Sequence, residues 1–201
     1  MRRPAGTHPI YWRSFPYSPP DDWELTAISD LCDRVKGKLA TDLSEKRSGN
    51  SRRYLLTGQL NGVEEPCYTC QADIPDVKPT DTVMAVDGTV GAVFTGLSGA
   101  LGSTMMRFRP RDLVDHEFIY YLLHSLEAYS SATAIVGAVP HLDKRLLSQL
   151  VLKTPGQAER AIIGRVLRAV DEMLSATNNE LLAAQRLKTA LMQQLFTKGI
   201  P

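Results

Sequence analysis

An α+β domain followed by one long helix is the fold class that this sequence predicts, on three observations. Short β-type runs, RYLLTG at 53–58, DTVMAV at 81–86, GAVF at 91–94 and TMMRFRP at 104–110, are separated by Gly, Pro and Asp. Two helix candidates lie downstream of them. Asp115 can cap a segment burying Phe118, Ile119, Leu122, Leu123 and Leu126, and a shorter one at His141–Gln149 opens after Pro140. The third observation is the closing segment 156–201, whose apolar residues keep heptad spacing. Ile163, Leu167, Val170, Leu174, Leu181, Ala184, Leu191 and Leu195 alternate steps of three and four, interrupted only by Thr177 and Lys188, with no Pro or Gly between Arg165 and Lys198.

Taken in order, residues 1–20 form an arm, 21–154 a mixed domain of short strands and helices, and 155–201 the helix. Pro4, Pro9, Pro16, Pro19 and Pro20 preclude regular structure in the arm, and Arg2, Arg3, Arg13, Tyr11, Trp12, Phe15 and Tyr17 make it basic and aromatic. It can enter a DNA groove, lie on a partner or pack on its own domain. At about 1.5 Å per residue the closing helix would reach roughly 60 Å, more than the preceding domain could cover, so its seam calls for another helix.

The bounds on function are broad. A chain of 201 residues can bury a core without a metal or disulfide staple, and a net charge of +1 is no polycation. Three cysteines, no apolar run of membrane-spanning length and no apolar signal core in MRRPAGTHPIYW lead us to expect a cytoplasmic protein with no membrane association. No nucleotide-cradling glycine loop, dinucleotide fingerprint or carboxylate cluster stands out, so no catalytic residue is assigned.

Charge is distributed unevenly. Residues 34–53 hold Arg34, Lys36, Lys38, Lys46, Arg47, Arg52 and Arg53 against Asp42 and Glu45, seven basic residues to two acidic, interleaved with Gly37, Ser44, Ser48, Gly49, Asn50 and Ser51. This reads as a flexible basic loop able to follow a phosphate backbone, or as a solvated loop and nothing more. Arg107, Arg109 and Arg111 form a second cluster at a strand end. Lys36, Lys38, Lys46, Arg47, Asn50, Arg52, Arg53, Thr89, Arg107 and Arg109 are the candidate DNA contacts, since Arg, Lys and Asn supply bidentate or phosphate contacts. Cys67-Tyr68-Thr69-Cys70 lacks the second paired spacing of a zinc site, and its flanking prolines do not suit a redox motif, so reduced structural cysteines and no metal are expected. His141 and Lys144 have no paired nucleophile and read as structural.

Several segments, in order, resemble a type I restriction-modification specificity subunit. Pro20-Asp21-Asp22-Trp23 with Ile28-Ser29-Asp30-Leu31 is similar to the start and first short helix of the family's target recognition domains. Asp87-Gly88-Thr89-Val90-Gly91 resembles their central Asp-Gly turn, and Gly137-Ala138-Val139-Pro140-His141-Leu142-Asp143-Lys144 their Gly-x-x-x-Pro-His-Leu segment. Pro155 to Ile163 resembles the family's helix start, with Glu159-Arg160 where Glu-Gln is usual, and Leu187 to Leu195 its helix end.

The resemblance covers residues 20–200 and implies a non-catalytic, DNA-reading subunit of a methyltransferase and nuclease complex. Where the family's usual subunit has two recognition domains and two long helices, this chain has one of each and looks like a half subunit. Antiparallel pairing with a second copy through Ile163, Leu167, Val170, Leu174, Leu181, Ala184, Leu191 and Leu195 would restore the pair and address two inverted half-sites of double-stranded DNA. The implied partners are modification subunits, which bind S-adenosylmethionine, and a restriction subunit, which would bring ATP and Mg; the chain itself needs no cofactor. The rival readings are a coiled-coil scaffold that modulates other specificity subunits without reading DNA, and a thiol or zinc enzyme centred on Cys67 and Cys70.

Overall fold

In the computed structural model the described residues are 19–127, 142 and 150–200. Residues 1–18 of the arm expected at 1–20, and all but Leu142 of the expected helix at 141–149 and of the segment 137–144, lie outside them. The chain divides into two compact units, Met1–Gly164 and Arg165–Pro201.

The first unit is mixed α and β, as expected. Strand β1 (Glu24–Ala27) is followed at once by the one-turn helix α1 (Ile28–Leu31) and β2 (Cys32–Lys36). Next come β3 (Arg52–Leu55), the one-turn helix α2 (Thr57–Leu60), β4 (Cys67–Thr69), β5 (Asp76–Val77), β6 (Thr82–Ala85), β7 (Val93–Phe94), β8 (Gly99–Leu101) and β9 (Met105–Pro110). A 3-10 turn at Leu113–Asp115 leads into α3 (His116–Ser125), then β10 (Val151–Thr154) and the long helix α4 (Gln157–Lys198).

Among the described residues the strands form three sheets. β1 pairs with β10 antiparallel, β2-β9-β6-β7 form an antiparallel sheet, and β4-β3-β8-β5 form a second four-stranded sheet in which β3 and β8 run parallel. All four residues of β6 are buried because that strand is covered on both faces. Met84 and its neighbour Phe108 on β9 pack with Ile28, Leu31, Phe118, Ile119 and Leu123 from α1 and α3. On the opposite face Val83 and Met105 meet Leu55, Val77 and Leu101 of the second sheet. Each such fully buried side chain contributes roughly 1.5–3 kcal/mol.

Helix α3 buries Phe118, Ile119 and Leu123, spacing that makes one apolar stripe. The capping arrangement differs from expectation. Asp112, not Asp115, supplies the cap, accepting from the Val114 amide at 3.0 Å at the head of the 3-10 turn. The carboxylate of Asp115 is engaged elsewhere, by Arg160 of α4.

The first turns of α4 belong to the domain. Ile163 packs against the Phe118 cluster, and Gly164 is buried beside Glu117 and Phe118 of α3. Ile163 is thus a core residue of its own domain, whereas Leu167, Val170, Leu174, Leu181, Ala184, Leu191 and Leu195 are exposed. From Arg165 to Lys198 the helix continues as a unit of its own, and Gly199, at φ +71, follows its last turn. Among the described residues no helix is long and apolar enough to cross a membrane.

Candidate nucleic-acid interface

The basic stretch 34–53 is not a free loop. Its ends are strands, since Cys32–Lys36 is β2 and Arg52 opens β3, and the segment between them is tied to the second sheet. Thr41 donates its amide to Gln71 Oε1 at 2.7 Å, and Asp42 accepts from the Thr69 hydroxyl and from the Cys70 amide at 2.8 Å. Those hydrogen bonds hold the Asp42 carboxyl below the usual carboxylate range, the Thr69 hydroxyl contributing most. Further on, Ser44 and Tyr68 exchange backbone hydrogen bonds at 3.0 and 2.8 Å, so residue 44 extends the sheet beyond β4.

This pinning sorts the candidate cations. Lys36 bonds Asp87 at 2.7 Å and Lys38 bonds Asp73 at 3.0 Å. Arg52 turns back over the sheet and donates to the carbonyls of Gln71 and Ile74. Lys46, Arg47 and Arg53 have no ion-pair partner among the described residues, and all three are exposed, as is Asn50. The Ser48–Ser51 turn, closed by Ser51 N–H donating to the Ser48 carbonyl at 2.8 Å, carries Asn50 between Arg47 and Arg53.

Register adds a residue that the sequence reading missed. Arg53 on β3 lies directly opposite Tyr68 on β4, and Tyr68 in turn bridges to Ser44. The three side chains therefore share one face across the sheet edge. A half-buried Tyr68 beside the exposed Arg53 guanidinium presents a hydroxyl and a ring next to a cation. Nothing in CYTC marks that tyrosine; only the strand pairing brings it to Arg53.

Arg107 and Arg109 are placed otherwise. They project from one face of β9, where Asp76 on β5 of the second sheet and Asp81, just before β6, receive them. Arg109 grips the fully buried Asp81 through two hydrogen bonds, Nε to Oδ1 at 2.9 Å and Nη2 to Oδ2 at 2.8 Å, and also reaches Asp76 at 2.9 Å. Arg107, itself 7% exposed, donates to the Asp76 carbonyl at 2.6 Å. The hydrogen bond from Arg109 holds Asp76 below its usual range, and the bonds Arg109 donates to Asp81 foremost strengthen its own charged form. The pair thus welds the two sheets together.

Thr89 is exposed on the turn after Asp87, and Gly88, at φ +81, allows that turn to form. The Lys36–Asp87 bond ties the end of β2 to the start of that turn. Cys67 accepts from Gln59 Nε2 at 3.0 Å, Cys70 is exposed, and no group of three or more His, Cys, Asp or Glu among the described residues could hold a metal.

Residues 20–184 match the type I restriction modification DNA specificity domain. The chain belongs to that family. It is 26% identical over 184 residues to the type I restriction enzyme MjaVIII specificity subunit of Methanocaldococcus jannaschii, covering 90% of this chain and 43% of that protein. Its fold is that of the HsdS subunit from Thermoanaerobacter tengcongensis, with a TM-score of 0.64 at 22% identity over 94% of this chain and 49% of that one. The S subunit of a type I restriction-modification system from M. genitalium gives a TM-score of 0.64 at 18% identity, over 90% of this chain and 48% of that one. This specificity-domain chain spans about half the length of the relatives it matches. Within it, Ile28–Leu31 forms the short helix and Gln157 begins the long one where the resemblance placed them.

Proposed function

We propose that this specificity-domain protein selects the DNA site of a type I restriction-modification complex, acting as a half subunit that pairs through α4 to present two recognition domains to inverted half-sites. The observation that carries the reading is the set of exposed cations Lys46, Arg47 and Arg53, without ion-pair partners among the described residues, on a pinned edge of a specificity domain. Cations without internal partners on a fixed frame can neutralise phosphates with little ordering cost, and Asn50, Tyr68 and Thr89 add groups for base edges. Lys36, Lys38 and Arg52 serve as supports that join the DNA only by exchanging their internal partners.

The exposed seam Leu167, Val170, Leu174, Leu181, Ala184, Leu191 and Leu195 supports the pairing. The chain performs no catalysis in this reading. Modification subunits docked on it supply S-adenosylmethionine and methylate adenine in double-stranded DNA, and a restriction subunit, where one assembles, supplies ATP and Mg chemistry.

Genomic DNA from cells expressing the modification subunits with and without this chain, sequenced for N6-methyladenine, tests the proposal. A two-part inverted motif that requires the chain is expected. Identical methylation in both samples would overturn the reading and favour a scaffold that reads no DNA.

A further inference from the structure

The exposed seam of α4 is self-complementary about one point. In an antiparallel pair of heptad helices each a position faces a d position, so facing residues lie at equal distances from a common midpoint. With the midpoint between Leu182 and Ala183, Leu181 faces Ala184, Leu174 faces Leu191 and Val170 faces Leu195. The seam's two polar interruptions, Thr177 and Lys188, then face each other.

We propose, building on the pairing reading above, that two copies of this chain pair antiparallel about a two-fold axis between Leu182 and Ala183, with Thr177 of each copy facing Lys188 of the other.

Three physical points converge on that register. Sliding one heptad one way sets Lys188 against Val170 and Thr177 against Leu181, burying two polar groups against apolar ones. That slide also brings Leu195 opposite Ile163, which is already packed in the domain core. Sliding the other way leaves Leu167 and Val170 with nothing to face, because α4 ends at Lys198. The proposed midpoint instead pairs the whole free stretch, leaving Lys198 opposite Leu167 only at the last helical residue, where the ammonium reaches solvent.

The polar layer has suitable chemistry. Thr177 Oγ1 donates to the Met173 carbonyl at 2.9 Å, which leaves the oxygen's lone pairs for an ammonium. Lys188 has no ion-pair partner among the described residues, and its long stem can lie along the seam while the head reaches Thr177. A lysine at a single a position specifies register at some cost in stability. Two-fold symmetry makes the layer occur twice, on either side of the axis.

Disulfide trapping tests the register in a full-length background carrying Cys67→Ser and Cys70→Ser, with the buried Cys32 retained. Differently tagged copies of Leu174→Cys and Leu191→Cys are mixed and oxidised, beside the heptad-shifted mixtures Leu174→Cys with Ala184→Cys and Leu181→Cys with Leu191→Cys. Mass in solution is measured on the same samples. The expected result is a dimer that cross-links in the first mixture and not in the shifted ones, with shifted cross-links appearing once Thr177→Leu and Lys188→Leu are added. A dimer that traps only shifted mixtures, or that traps Leu174→Cys with itself as a parallel pair would, overturns the register while pairing stands. A monomer overturns the register and the pairing together, leaving DNA selection to be judged by the methylation experiment.

Discussion

Arg160 donates from Nε and Nη2 to the two carboxylate oxygens of Asp115 at 2.8 and 3.0 Å, and its Nη1 reaches the Pro155 carbonyl at 3.0 Å. Asp115 is 3% exposed, so this is a buried, two-point ion pair between the head of α3 and the first turn of α4. Arg160 stands where the family resemblance shows Gln as usual, and an arginine fork fits this carboxylate with two parallel hydrogen bonds. Replacing Arg160 by Ala leaves the Asp115 carboxylate buried without a counter-charge. A loss of about 3 kcal/mol in urea unfolding is expected, with less loss for Arg160→Gln, which keeps a donor. An Ala variant as stable as the parent would show that water takes over the arginine's role.

The two groups of arginines should separate in experiment. Arg109→Ala strips the buried Asp81 of its main partner and should cost about 3 kcal/mol of stability. Arg47→Ala and Arg53→Ala should leave unfolding within about 0.5 kcal/mol of the parent. Each should weaken DNA binding on the order of fivefold near physiological salt, and lower the slope of log affinity against log salt by about one. Binding titrations across a salt series decide the matter. Equal slopes in the parent and both variants would remove these residues from the interface.

Acid should loosen the junction between the sheets. Asp76 is held below the ordinary aspartate range chiefly by its hydrogen bond from Arg109, and Asp112 chiefly by the Val114 amide. A depressed folded pKa contributes stability that is present above the unfolded value, about 3.9, and is lost as pH falls through the folded one. Thermal midpoints should therefore stay level between about pH 5 and 7 and drop below about pH 4, with a shallower drop in Asp76→Asn.

The cysteines should differ in reactivity. Burial pushes the Cys32 thiol up to about 12 from 9.0, and it donates to the Ile28 carbonyl at 3.3 Å, whereas Cys70 is exposed. A thiol with so little thiolate near neutral pH is a poor nucleophile. Alkylation of the folded protein at pH 8 should label Cys70 readily and Cys32 only after denaturant is added. The raised pKa also has a stability consequence. The Cys32 contribution is complete below the unfolded value of 9.0 and is lost as pH climbs toward 12.

How much of this was legible in the sequence depended on where each segment's pattern came from. β6 and β9 were readable because their apolar and β-favouring residues are continuous, and the α4 seam because one period runs through it. β2, with the sequence CDRVK, reads as charged coil; it is a strand because β9 offers a five-residue ladder from Pro110 to Met106. The two-residue strands β5 and β7 carry too few positions for any period, yet GAVF was found through its Gly boundary and Asp76-Val77 was not. In the candidate interface, residue types were legible and their partners were not. The arginines at 107 and 109 share a strand face by spacing alone, but the acids that engage them come from positions 76 and 81, with no motif to link them. Tyr68 and Arg53 likewise meet only through strand register.

Gly164 provides a last test, of the contact that seats the start of α4. A glycine inside a helix costs roughly 1 kcal/mol relative to alanine. Its retention here has a visible cause, since a Cβ at this position would lie 2.9 Å from both Glu117 Cβ and the Phe118 backbone nitrogen. The helix-propensity gain of Gly164→Ala is therefore opposed by overpacking against α3, which typically costs 1–3 kcal/mol. Since the Phe118 nitrogen belongs to the backbone and cannot swing aside, overpacking should win, with a net loss of about 1 kcal/mol, and a larger one for Gly164→Leu. Gly156→Ala, where a new Cβ meets open space, is the matched control and should be neutral or slightly stabilising. Denaturant unfolding of the three variants decides the question: a Gly164→Ala protein as stable as the Gly156→Ala control would mean that α3 and α4 can separate at this point without loss.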